Sequence, residues 1–258
     1  MVKISKQIHG IPMFTVWFAE EPVKDKGIIV YKEAEKEFKG SEPFDTLISD
    51  LTESKEEIQA HFAKNCKYKI NRAARENVEI VLLKNDEINN EELEAFLVFF
   101  DQFWKSKGVD TVDIDLLREE MKAYREAGAL SISKAIIDAE TVVYHTHLCD
   151  EKRARLLHSA SLFRLSEDED SGRKNLIGMA NRLLHREDMY FFKDNGLAVY
   201  DWGGAGKGED VKSITEFKES FGGEHVVFHS GIRKNGFKAC IVSFLSKIKQ
   251  GISELAKR

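Results

Sequence analysis

Asn175-Leu-Ile-Gly178-Met179-Ala180 sets small residues into a run that follows a polar loop and reads as the opening of a helix. First-turn amides of a helix lack intrahelical partners and point outward. Small side chains at 178 and 180 would therefore let an anion reach the backbone. Arg173 and Lys174 add positive charge just ahead, and a pyrophosphate or terminal phosphate suits this spacing. The plainer alternative is close packing of Gly178 and Ala180 beneath a neighbouring strand. A second basic group, Lys64, Lys67, Lys69, Arg72 and Arg75, lies around the end of the first long helix. Such runs usually form a solvated face, but this one is also the best place in the chain for a phosphate-bearing ligand or an RNA backbone.

His145, His147 and Cys149 alternate along a strand-like run, so the three side chains share a face. Imidazole and thiolate are transition-metal ligands. Same-face neighbours on a strand stand about 6–7 Å apart, however, which serves two ligands better than three. No metal is expected; a histidine-lined groove, core packing, or a proton shuttle at His145 or His147 fits better. Gly203-Gly-Ala-Gly-Lys207-Gly208 resembles a Walker A loop, but position 201 is Asp where the first Gly is required. No Ser or Thr follows Lys207, so nucleotide hydrolysis is excluded.

These groups need elements to carry them. Strands are expected at Met13–Phe18, Gly27–Tyr31, Thr46–Leu51 and Val78–Leu83. The box Ser54-Lys-Glu-Glu57 starts a helix with Ile58, Phe62 and Cys66 on its apolar stripe. Asn89 or Asn90 caps the clearest helix, through Leu93, Phe96, Leu97, Phe100, Phe103 and Trp104. Asp113–Ala127 is the next helix, stopped by Gly128. Leu130–Ile137, Thr141–Leu148 and Arg155–Phe163 are successive strands, the first two a hairpin. A helix from about Ile177 to Asp194 leads to a strand at Leu197–Trp202. Ser213-Ile-Thr-Glu216 opens a short helix that ends at Gly222-Gly223, and Val226–His229 is a last strand. Phe237–Lys257 is an amphipathic helix whose Lys238, Lys247, Lys249, Lys257 and Arg258 would allow peripheral membrane contact.

The 258 residues carry 39 basic and 44 acidic side chains, a net charge of −5. That balance argues against wrapping DNA, since phosphate contacts dominate such binding, but leaves room for a short RNA end. Three widely spaced cysteines give no disulfide framework. The polar first ten residues read as no signal peptide, and the longest apolar run, Ala95–Phe100, is too short to span a bilayer. A cytoplasmic protein with no transmembrane segment is expected. Element order favours an α/β (α+β) fold in which a central mixed, largely antiparallel sheet carries helices on both faces.

Three pieces together resemble one family. Lys67-Tyr-Lys-Ile-Asn-Arg-Ala-Ala-Arg-Glu-Asn-Val78 is similar to the R-x-x-I-R-x-A-x-x-x-G-V stretch of Fem-type peptidyltransferases. Ile177-Gly-Met-Ala-Asn-Arg-Leu-Leu-His185 with Gly196-Leu-Ala-Val-Tyr-Asp-Trp-Gly-Gly204 is the second piece. Phe217-Lys-Glu-Ser-Phe-Gly-Gly223 matches the F-K-x-x-F-G-G signature, and the order and spacing agree as well. The resemblance covers about residues 45–245. It implies one GNAT-like acyltransferase domain over residues 1–258, entered through N-terminal strands or a hairpin at 1–44.

In chemical terms, the resemblance implies acyl or aminoacyl transfer from acyl-CoA or aminoacyl-tRNA to a small-molecule or peptide amine, a cell-wall precursor among the candidates. Asn175-x-x-Gly178-x-Ala180 falls close to the GNAT pyrophosphate loop, with Asn in its first place. By motif match Lys218 lies near the donor's terminal phosphates and the reacting ester, and Phe217 packs beneath it or stacks on an adenine. Asp201 or His147 is the candidate proton acceptor. Typical Fem proteins carry two tandem domains, so a homodimer could supply the second. A binding module that has kept the fold and lost the donor is the rival reading.

Overall fold

The computed structural model describes residues 1–8, 10–109, 112–164, 171–206 and 208–236. Two compact units result: Met1–Asp45 with the described residues after Val226, and Thr46–Val226. In the first, β1 (Val2–Ile8) forms an antiparallel hairpin with β2 (Ile11–Trp17), which turns at Gly10 with φ +73°. β2 runs parallel to β3 (Gly27–Ala34), and β3 pairs antiparallel with β10 (Glu224–Asn235). The expected hairpin therefore lies one strand earlier, because the alternating run Val2–Ile8 is itself a strand. Gly27 permits the parallel approach: a Cβ there would stand 2.2 Å from the Pro12 carbonyl oxygen. Val16, Ile29, Tyr31 and Ala34 form this unit's core.

Among the described residues six strands form the sheet of the second unit, in the order β4-β9-β8-β7-β6-β5. They are β4 (Ser41–Asp50), β5 (Glu79–Leu83), β6 (Leu130–Ile137), β7 (Glu140–Cys149), β8 (Arg153–Ser161) and β9 (Val199–Asp201). Every neighbouring pair recorded is antiparallel except β8 and β9, which run parallel. Its helices are α1 (Lys55–Ala60), α2 (Lys64–Ala73), α3 (Asn90–Lys105), α4 (Ile114–Glu126), α5 (Ser171–Asp194) and α6 (Glu209–Glu219). Strand alternation divides β7 between two helices. Tyr144 packs on Phe96 and Phe99 of α3, while His145 bonds to Asn181 and Asp188 of α5. Helices thus cover both faces, as expected.

Several boundaries move for identifiable reasons. The helix opened by Ser54 breaks after Ala60, because the Ala63 amide bonds to Ser220 O (2.9 Å) instead of continuing the ladder. α5 begins at Ser171, six residues before the expected start, so Asn175–Ala180 lie inside it. Ser213 and Glu216 sit within α6, whose cap is Gly208, so they form no capping box. The expected Leu197–Trp202 strand shortens to β9, and the Val226–His229 strand lengthens to β10. Lys207 and the expected C-terminal helix at 237–257, with its lysines, lie outside the described residues. Among the described residues no helix is long and apolar enough to cross a membrane.

Candidate functional site

β8 and β9 pair over only three residues, Arg153↔Val199, Ala154↔Tyr200 and Arg155↔Asp201, and then part. Gly203, at φ +62°, turns the chain away; a Cβ there would come within 2.9 Å of the Leu156 carbonyl oxygen. A β-bulge near His147 bends β8 against β7 at the same level. A cavity of about 760 Å³ opens beside the freed part of β8, at Leu156, Ser159 and Ser161. α2 contributes Tyr68, Lys69 and Arg72 to its wall, and α6 contributes Phe217 and Lys218. From α5 come Asn175, Gly178, Met179, Asn181, Arg182 and His185.

The loop after β9 is fastened from two sides. Asp201 is fully buried; its Oδ1 accepts bonds from Thr46 Oγ1 (2.7 Å) and the Gly203 amide (2.9 Å). Lys218 Nζ donates to the carbonyls of Gly203 and Gly204, both at 2.8 Å. The ammonium on the cavity wall is therefore held by the loop and is not a mobile surface charge. Beyond α6, Gly222 and Gly223 adopt φ +77° and +108°. A Cβ on Gly222 would meet His61 Cβ at 2.7 Å, and one on Gly223 would meet Ile48 O at 2.5 Å. Only glycine fits both the dihedrals and the approach, which gives the Phe-Gly-Gly signature a steric cause. Arg182 bonds Ser220 Oγ (2.8 Å) and lies over the Phe217 ring, 4.3 Å from its centroid, which joins α5 to α6.

Beneath the cavity lies a buried polar network. His145 Nδ1 is 2.6 Å from Asp188 Oδ2, and its Nε2 is 2.8 Å from Asn181 Oδ1. Tyr200 Oη stands 3.2 Å from both His147 Nε2 and His185 Nδ1. Burial pushes His147 down to about 4; His145 and Arg155 add to the effect and Asp188 opposes it. His185 lies well below its ordinary value, through burial first and then the nearby His145 and His147. Both imidazoles are neutral at physiological pH. Burial also raises the Tyr200 phenol. His145, His185 and Asp188 bring possible metal-ligand atoms within 4.8 Å of one another. The His145 and His185 rings stack at 4.0 Å with a 29° interplanar angle, however. Both His145 nitrogens, Asp188 Oδ2 and His185 Nδ1 are already engaged in hydrogen bonds.

The expected site residues sort into three sets. Asn175, Gly178, Met179, Phe217, Lys218, Lys69 and Arg72 do meet at one cavity. No backbone cradle forms at 175–180, because amides beyond the first turn of α5 are taken up by the helix. Ala180 is buried with Ile177 and Leu184 against the sheet, the packing alternative. Arg173 pairs with Asp138 (3.2 Å) and Glu140 at the β6–β7 turn, and Lys174 lies 5.1 Å over the Phe163 ring. Of the basic cluster, Lys64 and Arg75 are exposed, and Lys67 caps the Ala60 carbonyl at 2.8 Å.

Asp201 and His147, the expected proton acceptors, are both fully buried and engaged in the interior, and neither lines the cavity. Cys149 lines a separate cavity of about 230 Å³ with Phe191 and Phe192, so it joins no ligand set with the histidines. Sequence reasoning missed Asn181, Arg182 and His185. The signal was present in Asn181, His185 and Asp188, polar residues at i, i+4 and i+7 on the face of α5 that packs on the sheet.

No protein-family model and no curated protein sequence matches the chain. Among solved structures it is similar to FemX, with TM-score 0.57 and 14% identity, over 73% of this chain and 60% of that one. The chain thus spans less than two thirds of the FemX chain. It is similar also to the C-terminal domain of a putative lysylphosphatidylglycerol synthetase from Agrobacterium fabrum, with TM-score 0.55 and 12% identity, over 95% and 84% of the two chains. L-PGS from Bacillus licheniformis gives TM-score 0.54 and 13% identity over the same shares, 95% and 84%. At these identities the likeness is one of fold.

Proposed function

We propose that the chain is a transferase that moves an aminoacyl or acyl group from an activated carrier to an amine, with the cavity beside the split of β8 and β9 as its site. The observation that carries this reading is the convergence of Gly178 and Met179, Phe217 and Lys218, and Lys69 and Arg72 on that one cavity. The fold shared with FemX and with the lysylphosphatidylglycerol synthetase domain supports the same class of reaction. Lys218 supplies a fixed positive charge that neutralises carrier phosphate near the reacting carbonyl. Lys69 and Arg72, with the exposed ring of Tyr68 on the same wall, hold the carrier's backbone at the mouth.

In the reaction the amine nitrogen attacks the carbonyl carbon and the new C–N bond forms. The carrier's oxygen or sulfur leaves with the proton the amine gives up. Holding both reactants in the cavity supplies much of the rate. An aminoacyl-tRNA carrier is favoured over acyl-CoA, because no backbone cradle for a pyrophosphate forms at 175–180 while α2 sets two cations at the mouth.

The test is a thermal-shift and turnover panel with an aminoacylated acceptor-stem RNA, its uncharged form and acetyl-CoA, against a set of amines. Saturation at about 100 times Kd stabilises by about 2.7 kcal/mol, which for a chain of this size is a rise of about 5 °C or more. The charged stem should give that rise, weaken with salt, and lose it in a Lys69→Ala/Arg72→Ala variant. A response to acetyl-CoA alone would replace the carrier. No response and no turnover with any carrier would defeat the reading.

A further inference from the structure

The hydrogen bonds beneath the cavity fix which atoms face it. Asn181 Oδ1 lies 2.8 Å from His145 Nε2 and 3.5 Å from Ser159 Oγ. Carbonyl and carboxylate oxygens only accept, so His145 donates from both ring nitrogens, Nε2 to Asn181 Oδ1 and Nδ1 to Asp188 Oδ2. The short contact from His145 Nδ1 to Asp188 Oδ2, at 2.6 Å, anchors the other edge of the ring. Because its oxygen is engaged, the Asn181 carboxamide must turn its NH₂ away from His145. Asn181 lines the cavity, and among the described residues that NH₂ has no hydrogen-bond partner.

A second chain of bonds treats His185 the same way. His147 Nδ1 is buried and has no hydrogen-bond partner among the described residues. A buried orphan acceptor is tolerated better than an orphan N–H, so the His147 proton sits on Nε2 and is donated to Tyr200 Oη. Tyr200 then donates to His185 Nδ1, which leaves the His185 proton on Nε2. His185 also lines the cavity, and its Nε2 bonds to no described residue.

We propose that Asn181 Nδ2 and His185 Nε2 form a pair of neutral N–H donors that grip the carbonyl oxygen of the transferred acyl group, with Asp188–His145 and His147–Tyr200 as the positioning residues behind them. Asn181 and His185, four residues apart on α5, are neighbours on one helix face. Neutral imidazole is suited to this work: it polarises a carbonyl without itself giving up a proton. Charge that develops on the oxygen as the amine attacks meets donors already fixed by the interior. This assignment rests on the transfer reading above for its substrate, but not for its geometry.

The experiment has two independent arms on the full chain. In the first, ¹⁵N-histidine NMR at neutral pH reports the ring protons directly. His145 and His185 should both show a protonated Nε2, and a bare Nε2 on either ring overturns the proposal whatever the protein's activity. In the same samples, a stable 3′-aminoacylamino-3′-deoxyadenosine or acetyl-CoA should move the Asn181 side-chain NH₂ resonances. If neither probe moves them, the proposal fails.

The second arm is turnover. Asn181→Asp keeps shape and an acceptor for His145 but removes the NH₂. It should lower kcat by about 100-fold, the size of losing one such donor, with KM for the carrier little changed. His145→Gln should lower kcat by less and release the Asn181 amide from its fixed shift. Unchanged kcat in Asn181→Asp, beside active wild type, overturns the proposal and leaves the transfer reading standing. Inactive wild type with the expected NMR result defeats the transfer reading and leaves the donor pair standing.

Discussion

Acid should unfold this protein through its buried histidines. Burial pushes His147 and His158 from the ordinary 6.5 down to about 4, and holds His185 well below its ordinary value. Each of the first two therefore ties about 3 kcal/mol of folding free energy to remaining neutral. Above pH 6.5 neither the folded nor the unfolded chain protonates these rings, so the full stability is present. Below it the unfolded chain binds protons that the native interior refuses, and stability is lost until about pH 4, where the native rings titrate too.

Around His147 the charged neighbours are Asp188, which opposes the shift, and His145 and Arg155, which favour it. Arg155 favours it at His158 as well. The slope below about pH 5.5 should be about 3 kcal/mol per pH unit for the two rings together, with His185 adding in the same direction. Against a typical total of about 5–15 kcal/mol, that suffices to unfold the domain. Asp50 and Glu57, whose carboxyls are held low by bonds to Thr52 and Ser54, contribute only nearer pH 4. Urea titrations followed by tryptophan fluorescence from pH 7.5 to 4.5 measure the slope. His158→Gln, which removes one ring and keeps an acceptor for Thr146, should take about 1.4 kcal/mol per pH unit off it. A flat profile between pH 6.5 and 5, or a slope untouched by that change, would refute the reasoning.

Two glycines should respond in opposite directions. Gly178→Ala places its Cβ 3.9 Å from the Phe163 ring inside α5 and should stabilise by up to about 1 kcal/mol in urea unfolding. It should also weaken carrier binding, measured by titration, because the methyl group enters the cavity. Gly223→Ala, with positive φ and a 2.5 Å clash on Ile48 O, should destabilise by about 2–4 kcal/mol in the same assay. Lys218→Met removes two bonds to the Gly203 and Gly204 carbonyls. It should cost about 2–3 kcal/mol in thermal unfolding as well as lowering turnover; a loss of turnover with no change in stability would separate the charge from the fastening.

Local chemistry was readable at three helix starts, though not at Ser213, which lies inside α6. Ser54, Asn89 and Asp113 each accept from the amide three residues on and start their helices as read. Leu130–Ile137 is a strand over the residues expected, closed by Asp138 and Ala139 in positive φ. The start of α5 was hidden because Gly172 and Gly178 lower helix propensity where tertiary packing, through Ile177 and Ala180, restores it. At the site, the part carried by a linear motif was legible: Phe217, Lys218 and the two glycines lie within seven consecutive residues. What brings His145 to Asn181 and Asp188 is a register between β7 and α5, separated by 36 and 43 residues, and spacing along the chain does not encode it.

The buried network makes little sense as a device for stability. Asp188 is fully buried, and among the described residues its Oδ1 has no hydrogen-bond partner; His147 leaves a nitrogen in the same state. Unpaired buried polar atoms cost about 1–3 kcal/mol each, and apolar side chains of the same shape would hold β7 to α5 as well or better. The cluster lies directly under the residues that line the cavity, and its bonds end on Asn181 and His185. A fold that accepts such a cost at this place is trading stability for the orientation of two side chains. Lys218 follows the same logic on the other wall, where bonds to two carbonyls fix an ammonium that would otherwise sample many rotamers. Both walls of the cavity are thus rigid before any ligand arrives, and rigidity in advance is what lets a site stabilise charge that appears only during reaction.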